Sequence, residues 1–175
     1  MDKKLWVLFI LALLVSGCEG WLYETLQERD KVYGPAPPAI NEAFASEIAS
    51  PGDIWKVYLK ANDMDGDMKA IFSTIEQPGV GVYPLSITPI RAENRKGLNG
   101  YIYLNTDIGA GANRMNFKNL TLRVRIQDMA GHFSNEASFP LSLQLRYKPF
   151  PPPLNIFNEK DLGPITIRLQ PGPGV

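Results

Sequence analysis

With one cysteine in 175 residues the chain cannot form an internal disulfide, so packing and hydrogen bonding alone must hold its fold. One histidine leaves little material for acid–base catalysis. Neither sign of charge is in excess, with 18 Lys and Arg against 18 Asp and Glu, so the clustered basic surface that nucleic-acid binding requires is missing. There is no G-x-S-x-G, no phosphate loop and no dinucleotide fingerprint. No apolar run reaches the roughly 20 residues that a bilayer-spanning helix needs. Proline and glycine, by contrast, are plentiful at fifteen each, and their uneven placement marks the organisation of the chain.

The N-terminus reads as a leader. Asp2, Lys3 and Lys4 precede an uncharged apolar stretch from Leu5 to Val15, which is the layout of a secretory signal peptide over residues 1–17. The stretch ends in Val15-Ser16-Gly17-Cys18, which resembles the bacterial lipobox. That resemblance implies a diacylglyceryl group on Cys18, a lipid anchor to the membrane, and a location in the bacterial cell envelope. It leaves no thiol for catalysis or metal binding. Glu19 stands where Asp often marks inner-membrane retention, so the expectation leans to the outer membrane. Several acyl chains, at about 0.8 kcal/mol per buried methylene, hold far more firmly than a single myristoyl chain.

Residues 18–38 form a Pro-rich tether that ends in Pro35-Ala36-Pro37-Pro38, with a short helix over Leu22–Arg29 that would be marginal alone. A second cluster, Pro149-Phe150-Pro151-Pro152-Pro153, closes the middle of the chain, which places the folded unit at 39–147 and a Pro-rich C-terminal extension at 148–175. Within 39–147 the apolar residues recur with period two. Leu120, Leu122, Val124 and Ile126 alternate with Thr121, Arg123, Arg125 and Gln127, as on a strand with one face buried. Trp55 to Ala61 and Ala137 to Leu145 alternate in the same way, and weaker versions occupy 68–76, 85–90 and 100–105. Turn signals separate them: Asp65-Gly66, Pro78-Gly79, Lys96-Gly97, Gly109-Ala110-Gly111 and Ala130-Gly131. Short strands at this spacing, with no amphipathic helix between them, specify an all-β fold, an antiparallel β-sandwich with Trp55 as a core anchor. Beyond the second proline cluster Ile165, Ile167 and Leu169 read as one more strand, which either pairs with the domain edge or waits for a partner.

Two stretches resemble bacterial immunoglobulin-like and cadherin-like domains: Ala61-Asn62-Asp63-Met64-Asp65-Gly66-Asp67, and Val124 to Ser134 with His132 where Asn is usual. The resemblance implies an immunoglobulin-like sandwich and says almost nothing about activity. Asp63, Asp65 and Asp67 at alternate positions, with Asp128 from a second loop, are the ligand types of a calcium site. The EF-hand pattern itself fails, because Gly66 falls too early and Thr74 stands where a bidentate Glu should close the site, and Asp and Gly are also plain turn formers. Tyr101 and Tyr103 share one strand face, with Tyr83 in a nearby loop, and either stack a sugar ring or pack across the sheet. His132 reads as a solvated loop residue; a Ser-His-Asp set would need Ser134 or Asp128 to converge on it. The function expected is therefore non-enzymatic: a lipid-anchored structural, assembly or binding module with protein partners in the envelope. Calcium- or carbohydrate-dependent adhesion is the first alternative and a carboxylate-based hydrolase the second.

Overall fold

The structure, a computed structural model, describes residues 24–107 and 118–170. Cys18 and the rest of the expected leader, and the Gly109-Ala110-Gly111 turn, lie outside them. Helix α1 (Leu26–Tyr33) leads into strands β1 (Ala39–Ala45), β2 (Ile48–Ala49), β3 (Ile54–Asn62), β4 (Met68–Gln77), β5 (Gly81–Val82) and β6 (Ser86–Pro89). A short 3-10 turn at Ala92–Asn94 precedes β7 (Gly97–Asn105), β8 (Lys118–Asp128), β9 (Ala137–Leu143) and β10 (Asp161–Ile165). One sheet runs β1-β3-β7-β10; the other runs β2-β9-β8-β4, with β5 and β6 both paired along the far side of β4. This is an immunoglobulin-like β-sandwich.

The alternation in sequence is the alternation in burial. Leu120, Leu122, Val124 and Ile126 of β8 face Trp55, Val57 and Leu59 of β3 and Ile102 and Leu104 of β7 in one core, all of them essentially inaccessible. Trp55 anchors it and satisfies its indole N–H on the Ser46 carbonyl at 2.7 Å, which lets a polar group sit at the edge of an apolar interior. The pattern over 137–145 runs on too far: β9 ends at Leu143, and Leu145 is 52% exposed. Two pairings also depart from an antiparallel sandwich, because β2 lies parallel to β9 and β10 parallel to β7.

The folded unit does not stop at 147. After the prolines, which forbid a regular ladder, the chain crosses the outer face of the first sheet and returns as β10. Leu162, Ile165, Ile167 and Leu169 then enter the core. Here the segment closes the open edge between the sheets: Thr88 of β6 donates to the Pro164 carbonyl at 2.8 Å, and the Thr166 N–H donates to Ser86 Oγ at 2.9 Å. Tyr83 belongs to this closure rather than to the tyrosine face of β7. It is buried, donates to Gln77 Oε1 at 2.6 Å and accepts the Gln170 N–H at 2.9 Å. Gly100 makes the crossing possible, because a Cβ there would collide with the Lys160 carbonyl.

The tether also differs in detail. Among the described residues its helix begins at Leu26 and runs on to Tyr33, because Thr25 and Glu28 form a reciprocal cap: the Glu28 N–H donates to Thr25 Oγ1 and the Thr25 N–H to Glu28 Oε2. That cap holds the Glu28 carboxyl below its usual range. Among the described residues no helix is long and apolar enough to cross a membrane.

Burial fixes which substitutions the fold tolerates. Leu122→Asp or Val124→Asp, each placing an unpaired charge in the core, should cost more than about 4 kcal/mol and abolish the cooperative melt. Arg123→Asp, on the solvent face beside Glu76 and Glu136, should cost no more than about 1 kcal/mol by chemical denaturation. Gly100→Ala should lose about 1–3 kcal/mol by displacing the C-terminal strand.

Candidate cation site at the tether end of the sandwich

Two turns meet at the end of the sandwich where the tether enters. In the first, after β3, Asp63 Oδ1 accepts the N–H groups of Asp65 at 3.0 Å and Gly66 at 3.4 Å, and Gly66 takes the left-handed φ of 77° that closes so tight a turn. In the second, after β8, Asp128 Oδ1 accepts the N–H groups of Gly131 at 2.6 Å and His132 at 2.8 Å. The antiparallel register of β4 on β8 sets Met68 opposite Asp128 and so brings Asp67 alongside. The Met129 N–H locks the junction, reaching both the carbonyl and Oδ2 of Asp67 at 3.1 Å.

Asp63, Asp67 and Asp128 thereby converge, each offering a carboxylate oxygen within 4.8 Å of the others. Asp63 is 2% exposed and Asp128 1%. Asp63 Oδ2 and Asp67 Oδ1 are buried without a hydrogen-bond partner. An ionised oxygen in that position is costly unless a proton or a cation faces it. Accordingly the Asp67 carboxyl is pushed up to about 6, first by burial and then by the Asp63 carboxyl beside it and the charges of Asp63 and Asp128, against a smaller opposing pull from the Met129 N–H. Three carboxylates at this spacing are the hard oxygen donors that calcium takes, with carbonyls and water to complete its six to eight ligands.

Asp65, expected as a ligand, is placed elsewhere. Its Oδ2 accepts the Ala36 N–H at 2.7 Å, and its carboxylate packs so closely on Gly34 that no side chain fits there. Alternate residues of a tight turn point to different sides, which the spacing alone could not assign. His132 is not a solvated loop residue. Its side chain is 17% exposed and lies between two carboxylates, Nδ1 at 3.0 Å from Asp128 Oδ2 and Nε2 at 3.3 Å from Asp30 Oδ1. Asp128 thus converges on the histidine, but Ser134 does not: its hydroxyl donates to the Asn135 carbonyl and accepts the Ile126 N–H. Among the described residues no nucleophile completes a triad.

Tyr101 and Tyr103 lie on the outer face of the first sheet, ring centroids 6.5 Å apart, within a packed aromatic row. Tyr58 meets Tyr101 edge-on at 5.6 Å and Phe157 of the returning chain at 5.6 Å. Lys56 Nζ sits 4.2 Å over the Tyr101 ring and 2.6 Å from Glu159 Oε2, while the Tyr58 hydroxyl donates to Glu159 Oε1 at 2.6 Å. Burial, then the bond to Glu159, raises the Tyr58 hydroxyl; the bonds from Lys56 and Tyr58 lower Glu159. Tyr58 and Lys56 therefore seat residues 157–159, and Tyr101 backs them, with one of its ring faces taken by the lysine. Asp30 and Glu159, which complete these two clusters, carry no motif and were visible only as charges in flanking segments.

No family model and no curated protein matches the chain. Among solved structures it is similar to the PKD domain of an M14-like peptidase from Thermoplasmatales archaeon SCGC AB-540-F20, at 13% identity and a TM-score of 0.37, over 62% of this chain and 96% of that one.

The raised Asp67 carboxyl gives a sign. Its folded pKa lies above the 3.8 of a free aspartate, so the proton-bound fold is favoured at low pH and that stability is lost as pH rises from about 4 through 6. In EDTA the melting temperature of wild type should fall across that window relative to Asp67→Asn, and at pH 7.5 the variant should melt higher. A variant that melts lower at both ends would show that the charge is not strained there.

Proposed function

We propose that this chain is a non-enzymatic module of a bacterial envelope: an immunoglobulin-like sandwich, carried on a lipid anchor at Cys18 in the outer membrane, whose tether end binds calcium and whose body serves assembly or adhesion. The observation that carries the cation reading is Asp63, 2% exposed, with an oxygen that no donor among the described residues satisfies, facing two further carboxylates. Burial also weighs against the hydrolase reading. Asp63 and Asp128 are too enclosed to flank a glycosidic bond, and the one histidine is held between two acids with no nucleophile beside it. The carbohydrate reading keeps only Tyr103, since Tyr101 is engaged by Lys56, Tyr58 and Tyr103. The anchor rests on the lipobox resemblance.

Millimolar calcium should raise the melting temperature of wild type by several degrees through mass action. Asp67→Asn should abolish the rise, whereas Asp65→Ala should keep it, because Asp65 faces the tether. No rise in wild type would end the cation reading. Separately, Cys18→Ala should move the protein from the membrane fraction to the soluble fraction without changing its melt; soluble wild type would remove the anchor.

A further inference from the structure

Helix α1 has eight residues, where isolated helices need about 12–15 to persist in water. Nor is it held by apolar burial: Leu26, Val32 and Tyr33 are all exposed, and no residue of the helix is fully buried. Among the described residues its side-chain contacts with the sandwich are polar, and they reach the two turns that build the carboxylate cluster. Asp30 faces His132 Nε2, in ion-pair range although not aligned as a hydrogen bond, and His132 Nδ1 rests on Asp128. The Arg29 guanidinium lies against Gly131. Just past the helix, the Ala36 N–H donates to Asp65 and Gly34 packs on the same carboxylate.

We infer that the cluster is a cation-operated latch for the tether, with Asp65 and His132 as the two positioning residues that transmit occupancy of the site to α1. The inference rests on the calcium reading above. Asp65 sits between Asp63 and Asp67 in one turn, and His132 is held by Asp128 in the other. A divalent cation shared by Asp63, Asp67 and Asp128 removes their mutual repulsion and fixes both turns at once. Fixing the first presents Asp65 to Gly34 and Ala36. Fixing the second holds His132 toward Asp30, a fourth acid that three bare carboxylates repel and a bound cation attracts. Without the cation the turns loosen and α1, unable to stand alone, melts. Residues 25–37, up to the buried Pro38, would then become an extended leash of up to about 45 Å. The occupied site fixes the sandwich close to the start of its tether, and the vacated site lets it range.

Hydrogen exchange followed by mass spectrometry on the full-length protein in detergent reads this directly. The amides of Gly34, which donates to the Asp30 carbonyl, and of Ala36, which donates to Asp65, lie in one stretch of chain. In millimolar calcium against EDTA, exchange over 28–36 should slow at least five-fold. Asp65→Ala should keep the calcium-induced rise in melting temperature and lose most of that slowing; His132→Gln should do the same to a smaller degree. A melting temperature that rises while exchange over 28–36 stays unchanged overturns the latch and leaves the cation site standing. No rise and no slowing overturns both.

Discussion

The pairing of β4 with β8 is the constraint on which most of the molecule depends. It is the middle of the second sheet, and its register puts Ile71 against Ile126 and Ile75 against Leu122. Side chains on a strand alternate faces, so a slip of one residue would turn all of these outward and expel the core. The same register carries the functional end. With Met68 opposite Asp128, the residue before β4 and the last residue of β8 must lie side by side, and both are aspartates. The bulge between Met68 and Ala70 falls at this point, and beyond it the Met129 N–H reaches both the carbonyl and the side chain of Asp67.

The rest of the fold answers a different demand. Two twisted sheets leave open edges, and a chain without disulfides must cover them with its own backbone and apolar side chains. One edge is closed by β10 and the residues that follow it: Leu162, Ile165, Ile167 and Leu169 fill the gap between the sheets, the Pro164 carbonyl accepts from Thr88, and the Thr166 N–H donates to Ser86. Reaching it takes a long passage over the first sheet, and the aromatic row of Tyr58, Tyr101 and Phe157 with the Lys56–Glu159 pair pins that passage down. Apolar burial supplies the closure; the exposed ion pair adds little beyond placement.

Strands were legible wherever one face is buried and the other is wet, because the code there is simple alternation: β8 and β9 follow it residue by residue, and β3 does so except at Tyr58, which the returning chain covers on the outer face. Three things were not legible. β1, β2 and β5 have burial patterns too irregular or too short to show a period. The alternation of Ile165, Ile167 and Leu169 shows which C-terminal residues are buried, but the paired strand lies just before them at Asp161–Ile165, its partner is far away in sequence, and the prolines ahead of it look like a boundary. At the site, residue types pointed to Asp63, Asp67 and Asp128, while the direction of Asp65 and the pairing of His132 with Asp30 depend on turn geometry and on a helix docked from outside the domain.

Turn formation explains half of the acidic cluster and leaves the other half over. Asp63 Oδ1 and Asp128 Oδ1 each accept two backbone N–H groups, which is what an aspartate in a tight turn is for, and an asparagine can do the same. Asp128 Oδ2 has His132. Asp63 Oδ2 and Asp67 Oδ1 have nothing, although both are buried and both belong to side chains that a neutral residue could replace without losing the turn. A fold that needed only its turns would gain from removing those charges, since each carboxylate destabilises the next. Their presence at the end of the sandwich where the tether enters is what the proposed cation, shared by all three and felt by the tether through Asp65 and His132, would account for.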